Sequence, residues 1–149
     1  LMPNHYHLLM RQKTEEGIAK FMQKLGTGYT NYFNKKYERI GGLFQGNFKA
    51  VHVSDDAHMI HLPFYIHTNP LSLVGASEQT NWARQVDFLE NYKWSSFPDY
   101  IGKKNFPDAT EREYILELFG GEESYKKATE SWVEERDKNI VGIKELIFT

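Results

Sequence analysis

Six residues near the start, His5-Tyr6-His7-Leu8-Leu9-Met10, hold two histidines two apart in an apolar run that follows Pro3. The run is too short for a helix of its own and reads as a buried strand. Along a strand, positions i and i+2 share a face. His5 and His7 would then aim two imidazoles at one point, with Tyr6 and Leu8 packing on the other side. On a helix the same spacing would set them about 200° apart. The pair is therefore either half of a metal site or two hydrogen-bonded histidines at a sheet edge. Because the chain opens with Leu1 directly on this strand, its natural start is expected upstream.

The 149 residues, 40% of them hydrophobic, suffice for one domain with a sizeable core. Cysteine is absent, which excludes disulfides and thiolate metal sites and fits a reducing cytosol. No apolar run approaches the length that spans a bilayer. The net charge of −2 hides an asymmetry. Residues 1–53 carry eight lysines and arginines against three glutamates, hence +5. Residues 54–149 carry ten against seventeen acidic residues, hence −7. A basic front segment can present a phosphate-binding face although the whole chain is acidic.

Thr14 is placed to cap a helix that has Glu15 and Glu16 in its first turn. Ile18, Phe21, Met22, Leu25, Tyr29, Tyr32, Phe33 and Tyr37 then recur at three- and four-residue steps, which predicts an amphipathic helix of about five turns. Lys20, Lys24 and Lys35 fall on another face, as a solvated stripe or as phosphate contacts. Gly26 and Gly28 weaken the helix and leave room for another backbone. After a turn at Arg39-Ile40-Gly41-Gly42, residues 43–53 read as a strand pair or one bent strand, with Lys49 among its polar members.

Ser54-Asp55-Asp56 caps a further helix. It should end at Asn69, because Pro70 disfavours helical geometry in the residue before it, and Pro63 should kink or break it. A short helix is expected from Trp82 to Leu89, an aromatic turn at Tyr92–Phe97, and acidic helices over 110–119 and 122–138.

On the helix before Pro70, Tyr65 and Asn69 are i and i+4 and share a face. Alone, Tyr65 is what a core or interface tyrosine looks like. Beside the histidines, the Asn69 carboxamide oxygen would complete three neutral donors, a set suited to Mg²⁺ or Mn²⁺. Tyr65 would stand next to a phosphate bound there.

These residues carry a resemblance. Met2-Pro3-Asn4-His5-Tyr6-His7-Leu8-Leu9, Tyr29-Thr30-Asn31-Tyr32-Phe33-Asn34, Gly42-Leu43-Phe44-Gln45-Gly46, Tyr65-Ile66-His67-Thr68-Asn69-Pro70 and Trp94-Ser95-Ser96 occur in that order. Over residues 1–101 the chain resembles the single-tyrosine (Y1) HUH transposases of the IS200-like group, and within them the REP-associated tyrosine transposases. The resemblance implies an α+β fold, a ferredoxin-like antiparallel sheet with helices packed on it. Relatives have a strand and helix before the histidine strand. This chain would lack them and add a helical extension over 102–149. It implies His5, His7 and Asn69 as ligands of Mg²⁺ or Mn²⁺. Tyr65 would attack single-stranded DNA to leave a 5′-phosphotyrosine. DNA hairpins and a second copy of the chain are the implied partners. Lys20, Lys24, Lys35 and Lys49 are candidates for backbone phosphate contacts. Asn47 stands where relatives often carry arginine. Two rivals share parts of this pattern. A hairpin-binding module would keep the fold and the basic helix without cutting, and a metal-dependent hydrolase would need the histidines but not Tyr65.

Overall fold

The structure is a computed structural model that describes residues 1–75 and 81–135. Six α-helices occur among these residues: α1 (Gly17–Lys36), α2 (Asp56–Thr68), α3 (Trp82–Asn91), α4 (Phe97–Tyr100), α5 (Glu113–Phe119) and α6 (Glu122–Glu134). The chain divides into two compact units, one of Leu9–His52 and one of Leu1–Leu8 with Val53–Thr149.

The expected antiparallel sheet is not found. No residue described is in a strand, so the α+β reading is corrected to a helical one for these residues. The reason is physical. Alternation in a sequence marks a segment able to lie extended, but a strand exists only where a second strand takes up its backbone N–H and C=O groups. Residues 5–10 and the expected strand at 43–53 are irregular and pair with no strand among the described residues. The first segment bends instead at Pro3-Asn4, where the Met2 N–H donates to the His5 carbonyl at 2.8 Å.

In the Leu9–His52 unit, α1 has the predicted five turns. Its start differs from expectation. Thr14 is not the cap; Glu16 holds that position in left-handed geometry at φ 56°, with no side-chain capping bond. Met22 alone is buried on the helix. Tyr29 gathers an aromatic cluster, its ring 6.2 Å from Phe44 and 6.3 Å from both Tyr32 and Phe33. The space at Gly26 faces the Phe44 ring rather than another backbone, and Gly28 faces open space. The predicted turn closes with Gly41 at φ 96°, and the Asn34 side-chain amide donates to its carbonyl at 2.9 Å.

In the other unit, Asp55 caps α2 by accepting from the His58 N–H at 2.9 Å. Pro63 does not break this helix but sits inside it, buried. α2 ends at Thr68 with Asn69 as its C-cap, and Pro70 opens a 3-10 turn over Asn69–Leu73. The core is aromatic. The Phe64 ring stacks on Tyr125 (5.4 Å, 17°) and Trp132 (5.2 Å, 24°), while Phe119 meets it edge-on at 5.0 Å. Tyr125, Leu71, Leu89, Phe97 and Thr129 are the fully buried members of this core. α6 thus packs on α2, and also on α3, α4 and α5. Glu90 on α3 bridges Lys126 on α6 and Lys103, each at 2.7 Å. Of the aromatic turn, Phe97 packs in the core while Trp94 stays exposed beneath the Lys93 ammonium. The expected end of the last helix at Lys138 lies outside the described residues.

Candidate active site

His5, His7, Tyr65 and Asn69 belong to one unit. The Leu1–Leu8 segment is anchored where the Tyr92 hydroxyl donates to the Leu1 carbonyl at 2.8 Å. The two histidines meet although no strand presents them. Their ring centres are 5.1 Å apart and nearly perpendicular, at 80°. His7 in turn meets the Tyr65 ring edge-on at 5.6 Å. His5 is exposed, whereas His7 and Tyr65 are half-buried. Burial, with His5 beside it, holds the His7 imidazole below its ordinary pKa and so favours its neutral form.

Asn69 lies one helical turn beyond Tyr65, and its N–H donates to the Tyr65 carbonyl. The two residues therefore keep the shared face that their spacing predicts. Phe64, His67 and Thr68 are turned to the interior. α2 is thus two-sided, with one face in the aromatic core and the other carrying the phenol.

The donor set suits a divalent ion. A neutral imidazole is the form that ligates. Among the described residues no three of His, Cys, Asp and Glu gather as a metal site. The carboxamide oxygen of Asn69 is the third donor that the resemblance implies.

Sequence reasoning passed over two residues. One is Asn4, whose side-chain oxygen lies 2.7 Å from His5 Nδ1. It stood in the quoted Met2–Leu9 motif with no role attached. The other is His67, which faces away from Tyr65 as its spacing implies and is buried at 3% exposure. Its Nδ1 bonds the Tyr125 hydroxyl at 2.7 Å and its Nε2 the Ser96 hydroxyl at 2.9 Å. Nothing local in the sequence points to partners 58 and 29 residues away.

The basic residues fall in the Leu9–His52 unit. Lys20, Lys24 and Lys35 lie along α1, and Lys49 lies in the irregular segment after it. Lys20 pairs with Glu16 at 3.2 Å, both exposed. Lys36, not singled out by its spacing, places its ammonium 5.6 Å from the Tyr32 ring and 5.5 Å from that of Tyr37.

No curated protein and no solved structure matches the chain. Residues 1–69 match the family model described as "Transposase IS200 like", a stretch that begins before the histidine pair and ends on Asn69. The segment that carries His5, His7, Tyr65 and Asn69 is thus similar to the Y1 family of IS200-like transposases.

Proposed function

We propose that the chain cuts and rejoins single-stranded DNA, with Tyr65 as the nucleophile. The observation that carries this reading is the run of ring contacts from His5 to His7 to Tyr65, at 5.1 and 5.6 Å. It sets the Tyr65 ring against His7, which in turn meets His5, within the segment that matches the transposase family. The Tyr65 oxygen attacks a backbone phosphorus. A Tyr–O–P bond forms, the bond from phosphorus to the 3′ oxygen breaks, and the phenol proton is lost as the leaving oxygen gains one. The products are a 5′-phosphotyrosine and a free 3′-OH. Because one phosphoester replaces another, the bond is conserved for rejoining, when a 3′-OH displaces the tyrosine.

His5, His7 and the Asn69 carboxamide would hold Mg²⁺ or Mn²⁺, which supplies Lewis-acid stabilisation of negative charge on the phosphate. The residues of the chain do the positioning. α2 fixes the phenol, and the half-buried setting of His7 keeps its imidazole neutral at neutral pH. DNA hairpins are the substrate form we assign, with a second copy of the chain as partner. Lys24, Lys35 and Lys49 contact backbone phosphates.

The test uses a labelled single-stranded hairpin with Mn²⁺, resolved on a denaturing gel. A covalent protein–DNA adduct should form, vanish in Tyr65→Phe, and fall by more than ~100-fold in His7→Ala, beyond the usual effect of residues behind a ligand. Cleavage that survives Tyr65→Phe would mean that water is the nucleophile. Binding with no cleavage would mark a hairpin-binding module.

A further inference from the structure

We propose that Asn4 is a positioning residue for His5, and that its carboxamide oxygen leaves Nε2 as the ring nitrogen free to ligate. The proposal rests on the metal-site reading above. A neutral imidazole has one N–H and one bare nitrogen, and only the bare one can hold a metal. Which is bare depends on the bond the other makes. Asn4 Oδ1 lies 2.7 Å from His5 Nδ1, at the short end of N–H···O distances. A carboxamide oxygen only accepts, so Nδ1 carries the proton. An exposed histidine in water carries its proton mainly on Nε2, so Asn4 reverses the default.

The bend makes this contact possible. In a regular strand Asn4 and His5 would point to opposite faces. Here the chain turns at Pro3-Asn4, and the Met2 N–H reaches the His5 carbonyl at 2.8 Å. Proline pre-sets its own φ, and asparagine tolerates turn geometry while its side chain bonds locally. The backbone of His5 is thus held by residue 2 and its ring by residue 4. The order Pro-Asn-His then has a physical reading: a turn former, an acceptor and a ligand in consecutive places.

The closing experiment reads the tautomer directly, in metal-free protein, from long-range ¹⁵N–¹H correlations of the histidine rings in mildly alkaline buffer. His5 should show the Nδ1–H form in the native chain and in Asn4→Asp, whose carboxylate also accepts. It should revert towards Nε2–H in Asn4→Ala. A native His5 in the Nε2–H form, or one unchanged by Asn4→Ala, overturns the proposal. Titration with Mn²⁺ followed by electron paramagnetic resonance gives the second readout. Asn4→Ala should weaken binding by about 10–100-fold and Asn4→Asp should recover it. Equal affinity in the native chain and Asn4→Ala also overturns the positioning role. A native chain that binds no Mn²⁺ while His5 keeps Nδ1–H fails the metal reading instead.

Discussion

His67 is the residue on which α2 is set. Its two nitrogens meet two hydroxyls, and in the neutral ring one donates and the other accepts. Burial lowers its pKa to about 3. The sign for stability follows. In the unfolded chain an imidazole titrates near ~6.5. Above that pH neither state binds the proton, and the network contributes fully. Between about 6.5 and about 3 only the unfolded chain binds it, so stability falls as the pH drops, with a slope approaching ~1.4 kcal/mol per pH unit. Thermal melts of the native chain and His67→Gln over that range should show the native chain losing more stability toward low pH. Parallel curves would refute it. Tyr65 and Asn69 were legible from their spacing before Pro70, because a helix turns i and i+4 into neighbours. His67 was legible only as facing elsewhere, since its partners lie on α6 and in the loop before α4.

At the scale of elements, helices were read well and strands were not. Capping and periodicity are local, so Asp55, the repeat through α1 and a helix end at Phe119 could be seen in the chain itself. A strand is a relation between two segments, and alternation in one says nothing of the other. Hence the histidine pairing was foreseen for a strand and came about in a bent segment. Gly120 is left-handed at φ 78°; its N–H meets the Glu117 carbonyl at 3.2 Å and that of Gly121 the Leu116 carbonyl at 2.8 Å. This double bond pattern is a Schellman cap, which favours glycine. Gly120→Ala puts a Cβ where left-handed geometry crowds it and should cost about 1–2 kcal/mol. Because Phe119 lies against both Phe64 and Tyr125, the loss should appear as a lower melting temperature of the whole unit. A melt unchanged within error would contradict it.

For the whole molecule, the charge asymmetry in the sequence coincides with the division of the chain. The Leu9–His52 unit holds Lys20, Lys24, Lys35 and Lys49, and the many acidic residues fall in the other. If Lys24, Lys35 and Lys49 meet phosphates, alanine at each should lower the slope of log affinity against log salt by about 0.7 for single strands. Lys20→Ala should change it less, because Glu16 already pairs with it. Titrations of a single-stranded hairpin at several salt concentrations read this, and an unchanged slope would remove these lysines from the interface.

The Phe64 stack and the His67–Tyr125 bond join α2 to α6, which lies wholly beyond the family match. Rotating α2 by a fraction of a turn would unstack Phe64 and strand both nitrogens of His67 together. Cutting and rejoining nonetheless ask one oxygen to meet two DNA ends in succession. If Tyr65 is the nucleophile we propose, the phenol is the fixed post of the reaction, and the moving part is the DNA.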